Sequence, residues 1–173
     1  MTATRAFLSL GSNLGDRAGY LRSAVAALEV SDALSVTGVS PVYETEPVEV
    51  EGAQPEYLNC AVELSCRMGL AELLRYCQGV EAALGRSGKG EKSPRTVDID
   101  VLLFGEAEVS EPELQVPHRG VRRAFNLVTL ADLDPALYIP GLGMVDELLS
   151  RLDDAELAGV RGLGNLREVG RGC

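Results

Sequence analysis

Residues 97–101 run Val, Asp, Ile, Asp, Val, and no other stretch of the chain limits the fold so tightly. Successive side chains of a β-strand point to opposite faces. Val97, Ile99 and Val101 therefore share one face, and Asp98 and Asp100 share the other, roughly 6.6–7 Å apart along the backbone. The apolar face reads as core. Two carboxylates side by side repel and resist desolvation, a cost that a hard cation between them removes. Mg²⁺ is usually held by one or two carboxylates plus the phosphates of a substrate. The alternation thus fits either a solvated strand face carrying ordinary charges or a magnesium site for a phosphorylated ligand.

The rest of the chain supplies elements for that strand to pair with. Residues 5–10 read as a first strand, closed by the turn Gly11-Ser12-Asn13-Leu14-Gly15-Asp16, whose polar residues can cap a following helix. Leu21, Val25 and Leu28 mark that helix's buried stripe. A second strand is predicted over 35–44, a polar loop over 45–56, and a third strand over 57–64. In the third strand Leu58, Cys60, Val62 and Leu64 take one face, while Tyr57 and Asn59 share the other. A second helix is predicted over 70–84, and the fourth strand over 96–104 after a Gly/Lys/Ser segment at 85–94. The order βαββαβ is the signature of a ferredoxin-like α+β sandwich with a mainly antiparallel sheet and helices on one face. Further helices are predicted over 122–131 and 144–151, and an aperiodic, poorly ordered end over 159–173. Tyr57, Asn59, Asp98 and Asp100 all point away from the helix side, so one cleft on the open face could hold all four.

At 173 residues the chain is expected to be one domain, with a core over about 5–140 and an extension over about 141–173. It shows no apolar run of about 18 residues and no basic-then-apolar leader, so a cytoplasmic location is expected. Cys60, Cys66, Cys77 and Cys173 form no CxxC pair, and His118 is the single histidine, which argues against a Cys/His zinc site. The net charge of −10 argues against a nucleic-acid partner. Two local cationic clusters, Arg86, Lys89, Lys92 and Arg95, then Arg119, Arg122 and Arg123, suit a small polyanion.

Five segments carry a family resemblance: Leu10-Gly11-Ser12-Asn13-Leu14-Gly15-Asp16, Tyr43-Glu44-Thr45-Glu46-Pro47, Pro55-Glu56-Tyr57-Leu58-Asn59, the block from Pro94 to Gly105, and Val116-Pro117-His118. In that order they resemble the 6-hydroxymethyl-7,8-dihydropterin pyrophosphokinases, which precede dihydropteroate synthase in folate biosynthesis. The Arg-Thr-x-Asp-x-Asp-x-x-Leu-Phe-Gly block is the specific part. The resemblance implies transfer of pyrophosphate from ATP to the pterin's hydroxymethyl group with release of AMP. It implies two Mg²⁺ ions on Asp98 and Asp100, and catalytic roles for Arg86, Arg95, Asp98 and Asp100. For ATP it implies contacts from Gln78, Glu81, Lys89, Lys92, Val101, His118 and Arg123. For the pterin it implies Thr45, Val48, Tyr57, Asn59 and Phe125, with Tyr57 and Phe125 stacking on the flat ring and Asn59 donating and accepting at its amide edge. A monomer acting on small molecules alone is expected.

The chain departs from the family pattern in three places, one being the stretch from His118 to Phe125, which is one residue shorter than in some relatives; the other two bear on function. It has no Trp, where many members carry one before the Pro-Arg block, and Glu113 stands where a basic residue is common. Those departures support a rival reading, a non-catalytic ferredoxin-like module that binds a small molecule or partner. The general base is open between Asp100 and a water.

Overall fold

The computed structural model describes residues 2–46, 55–85 and 96–170. Val48, Arg86, Lys89, Lys92 and Arg95 lie outside the described residues. In chain order the elements are β1 (Thr4–Ser12), α1 (Arg17–Leu28), β2 (Leu34–Val39), β3 (Val42–Thr45), β4 (Tyr57–Cys66), α2 (Leu70–Ala83) and β5 (Asp98–Phe104). There follow a hairpin of β6 (Val109–Glu111) and β7 (Leu114–Val116), α3 (Ala124–Leu133), a short pair β8 (Tyr138–Ile139) and β9 (Gly143–Met144), α4 (Val145–Ser150), α5 (Asp154–Ala158) and β10 (Val160–Gly164). The main sheet runs β10-β3-β4-β1-β5, with β2 also pairing β4. Every pairing in it is antiparallel.

Alternation decides the layers. Ala6, Leu8 and Leu10 of β1, together with Leu58, Cys60, Val62 and Leu64 of β4, are buried against Leu21 and Leu28 of α1 and Leu73 and Cys77 of α2. Each such leucine contributes about 1.5–3 kcal/mol on burial. Asp16 caps α1, its side chain accepting from Gly19 N at 3.1 Å, which satisfies one of the orphan donors at that helix end. Burial pushes the Cys60 thiol up to about 12, in keeping with a core thiol.

The opposite face is divided, not wholly open. Phe7, Leu102 and Leu103 are apolar residues on that side, and they are buried against Leu127 and Leu130 of α3 and Leu148 of α4. The C-terminal helices cover this half because those strand residues need apolar cover. The half carrying Gly11, Asn59, Asp98 and Asp100 is where the predicted site residues gather.

Two further segments differ from the sequence expectation. The strand predicted over 35–44 is two strands, broken at Ser40-Pro41. Proline has no N–H to give the ladder. Ser40 bridges the break instead: its N–H donates to Ala61 O at 2.9 Å and its Oγ accepts from Ala61 N at 2.8 Å. The end expected to be poorly ordered over 159–173 contributes β10 to the sheet, in register Val160↔Thr45, Arg161↔Glu44 and Gly162↔Tyr43. Beyond it Leu166 is buried, and Arg22 Nη1 donates to Leu166 O at 2.9 Å and Val169 O at 2.8 Å. Backbone pairing does not require a periodic side-chain pattern, so periodicity gave no sign of it.

Candidate active site

The register brings the polar residues together in two adjacent rows. Tyr43 opposes Asn59, Asn59 opposes Gly11, and Gly11 opposes Asp98. One step along, Ala61 opposes Ser9 and Ser9 opposes Asp100. Residues directly opposite in an antiparallel sheet share a face. Tyr57, Asn59, Asp98 and Asp100 are therefore on one face, as their alternation predicts. Val97, Ile99 and Val101 are buried on the other.

Gly11 links the two halves. A Cβ at this position would lie 3.0 Å from Asn59 Oδ1 and 3.3 Å from Tyr57 Cδ1. Its missing side chain lets the Asn59 amide and the Tyr57 ring lie close against the β1 backbone. Asn59 is itself oriented: its Nδ2 donates to Thr45 Oγ1 at 2.6 Å, and both residues are buried. Thr45, predicted to begin the polar loop, stands at the end of β3 and holds Asn59 through its hydroxyl. Phe125 stands half-buried on the first turn of α3.

On the outer side of β5 lies a cleft of about 700 Å³, between α2 and the β6–β7 hairpin. This size lies within the range of small-molecule sites. Gln78, Asp100, Val101 and His118 line it, so four of the predicted residues converge there. Arg119 and Arg75 line it as well. Arg75 was missed, although it lies three residues before Gln78 and so on the same helical face. Glu113 also lines the cleft.

His118 is held by its flanks. Its N–H donates to Leu102 O at 2.9 Å, and its Nδ1 accepts from Gly120 N at 3.0 Å. That bond puts the ring proton on Nε2, the atom 3.6 Å from Asp100 Oδ1. Arg123 is exposed at the start of α3, and its Nε would lie 3.5 Å from a Cβ on Gly120, while His118 Nδ1 would lie 3.2 Å from it. Arg123 and His118 thus flank the same small residue.

Glu81 reaches from α2 to the backbone of β5. It is 3% exposed, and its Oε2 accepts from Ile99 N at 2.8 Å. β5 ends the sheet, so its outer N–H groups need a partner. Glu81 supplies one between the two aspartates and acts on the strand behind them.

The donor set fits magnesium. Asp98 and Asp100 are hard oxygen donors, partly exposed on one face. Among the described residues no group of three or more His, Cys, Asp or Glu gathers as a metal site. Mg²⁺ does not need one, since it keeps waters and takes its remaining ligands from substrate phosphates.

The family model for 7,8-dihydro-6-hydroxymethylpterin-pyrophosphokinase (HPPK) matches residues 7–135. The 2-amino-4-hydroxy-6-hydroxymethyldihydropteridine pyrophosphokinase of Bacillus subtilis is 45% identical over 74% of this chain and 77% of its own length. The enzyme of the same name from Methylorubrum extorquens is 44% identical over 87% of this chain and 94% of its own length. Among solved structures, a triple mutant of Plasmodium falciparum HPPK-DHPS superposes with a TM-score of 0.69 at 16% identity. It is matched over 91% of this chain but only 46% of that longer one, and this likeness speaks for the fold alone.

Proposed function

Because the chain belongs to the 7,8-dihydro-6-hydroxymethylpterin-pyrophosphokinase family, we propose that it transfers the pyrophosphoryl group of ATP to the hydroxymethyl oxygen of 6-hydroxymethyl-7,8-dihydropterin. One observation carries this reading: Asp98 and Asp100 share a face, and Asp100 also lines the 700 Å³ cleft with Gln78, Val101 and His118. A triphosphate in the cleft would bring its charged end to the carboxylate pair. The Asn59 amide and the Tyr57 ring, packed beside Gly11, would hold the flat acceptor next to it.

Asp98 and Asp100 would hold Mg²⁺, two ions in the family's pattern. When bound, magnesium neutralises the triphosphate. The protein's own groups do the positioning. Asn59, fixed by Thr45, presents both a donor and an acceptor to the pterin's amide edge. Tyr57 and Phe125 supply aromatic faces for the ring, with Val48 completing the acceptor side. His118 Nε2–H and the Arg123 guanidinium face the phosphates, and Gln78, Val101, Lys89 and Lys92 complete the nucleotide site. Arg86 and Arg95 stabilise charge on the transferring group. The hydroxymethyl oxygen bonds to the β-phosphorus as the bond to the α–β bridging oxygen breaks, and AMP leaves with that oxygen. The hydroxyl proton passes to Asp100 or a water. Catalysis of this kind rests on positioning and charge stabilisation.

The same reading makes the chain a single-domain, cytoplasmic monomer that works on small molecules, its cysteines kept as thiols. It also leaves the nucleotide pocket functional without a tryptophan and with Glu113 at its rim. The test is product identity. ATP, Mg²⁺ and the pterin should give AMP, and omission of the pterin should abolish it. ADP as the product would overturn β-phosphorus attack, and ATP binding without turnover would favour a non-catalytic module.

A further inference from the structure

Arg161 of β10 lies outside the stretch that matches the family model. It sits directly across from Glu44 on β3. Its Nη2 donates to Glu44 Oε1 at 3.1 Å and also to Glu56 Oε2. From the other side, Arg17 Nη1 donates to Glu44 Oε2 at 3.0 Å and to Glu56 O at 2.8 Å. Two arginines, one from α1 and one from the C-terminal strand, thus join the end of β3 to the residue just before β4. Arg161 first, and Arg17 after it, hold the Glu44 carboxyl below its ordinary range against the opposing effect of burial.

These ion pairs are on the helix side of the sheet, because Glu44 opposes Leu58. The next residue on each strand faces the other way. Thr45 follows Glu44, Tyr57 follows Glu56, and Thr45 and Tyr57 are themselves paired in register. Thr45 then holds Asn59. β10 supports the same place a second way: a Cβ on Gly162 would lie 3.4 Å from Tyr43 Cε1, so the glycine leaves room for the Tyr43 ring, and Tyr43 is Asn59's neighbour across the sheet.

We infer that Arg161 is a positioning residue for the acceptor site, with β10 bracing, through these ion pairs on the helix side of the sheet, the strand ends that carry Thr45, Tyr57 and Asn59. The inference rests on the assignment of those three residues to the pterin. Removing Arg161 leaves Glu44 and Glu56 close together with Arg17 as their remaining cation among the described contacts. Exposed ion pairs taken singly are weak, but this is a network of two cations and two carboxylates across three elements. Loosening it should act on acceptor binding and spare the nucleotide cleft, which lies along β5 at the far edge of the sheet.

The experiment compares wild type, Arg161→Met and Arg161→Lys in the AMP-release assay, with pterin binding measured by its fluorescence and a thermal melt of each. Arg161→Met is expected to raise the pterin KM and Kd by about three- to tenfold. Its kcat and ATP KM should stay within about twofold, and Arg161→Lys should recover part of the loss. Glu56→Gln should mimic it, and the double variant should be no worse than either single. A wild type that turns over pterin while Arg161→Met keeps its pterin KM overturns this inference alone, even if the melt is lowered. A wild type that binds no pterin overturns the functional reading and this inference with it.

Discussion

Asp100 Oδ1 and His118 Nε2 lie 3.6 Å apart across the mouth of the β5 cleft. The residues come from different elements: Asp100 from a sheet-end strand, His118 from the turn after the β6–β7 hairpin. Their approach is fixed from both sides, by the Gly120 N–H on the imidazole and by the β1–β5 ladder under the carboxylate.

Asp100→Asn keeps the shape of this arrangement and removes its charge. Turnover should fall by at least about a hundredfold, the scale seen when one preorganised charge-stabilising group is lost. The melting temperature should hold or rise, since the change relieves repulsion with Asp98 on the same face. AMP release and a thermal melt check both halves. Turnover within tenfold of wild type would remove Asp100 from the reaction.

Glu81 gives a prediction with the opposite character. Its Oε2 accepts the Ile99 N–H, between the two aspartates. Glu81→Ala strands a buried donor, a cost of about 1–3 kcal/mol before lost packing is counted. Glu81→Gln keeps an acceptor oxygen and should recover most of that stability in urea unfolding. If Glu81 only supports the strand, the glutamine variant should also keep its KM for ATP. A tenfold higher KM at unchanged stability would instead put the side chain against the nucleotide.

What was legible in the sequence followed from local physics. The alternation at 97–101 and 57–64 decided both faces of β4 and β5. The aspartate pair, Asn59 and Tyr57 came together because alternation settles which face a side chain takes. What stayed hidden depended on partners distant in sequence. β10 pairs with β3 more than a hundred residues earlier, and its Gly-rich sequence carries no period. The resemblance places Glu81 at the nucleotide, and its bond to the Ile99 N–H is not legible from the helix's own sequence. That bond depends on β5 lying at the end of the strand order, which only the sheet reveals. The C-terminal helices were predicted, but their placement over Phe7 and Leu103 was not.

Gly11→Ala probes the close packing of Asn59 and Tyr57 against β1. The added methyl would meet Asn59 Oδ1 at 3.0 Å and the Tyr57 ring at 3.3 Å, so both must give way. The chain should fold with a loss of about 1–3 kcal/mol, the usual range for overpacking. The pterin KM should rise more than the ATP KM, because the displaced groups lie on the acceptor side. Equal rises in both would mean that the substitution disturbs the sheet as a whole, and a wild-type pterin KM would take Gly11 and its neighbours out of the site.

Tyr43 offers a test of how α3 is tied to the sheet. Its hydroxyl donates to Asp132 Oδ2 at 2.5 Å, joining the β3 edge of the site to the helix that covers the other half of the face. Burial first, and the Asp132 carboxylate after it, push the phenol up from its ordinary value to about 12. The folded state therefore keeps this proton after the unfolded chain has lost it. Above the ordinary tyrosine range, near pH 10, the unfolded state binds fewer protons than the folded one, while the folded phenol remains neutral. That difference makes the folded state lose stability as pH rises through this window. The native state holds the proton because ionising it is unfavourable there. The unfolded chain gains free energy by ionising freely above pH 10, and the tie's contribution, full below that pH, declines until the folded pKa near 12 is passed. Denaturant midpoints should accordingly fall between about pH 10 and about pH 12 more steeply in wild type than in Tyr43→Phe, which has no phenol to titrate. Below pH 9 the phenylalanine variant should be less stable by a constant amount, because it lacks the bond to Asp132. Parallel pH curves for the two proteins would show that Tyr43 ionises as easily in the fold as in the unfolded chain, and that the Tyr43–Asp132 bond does not hold α3 to the sheet.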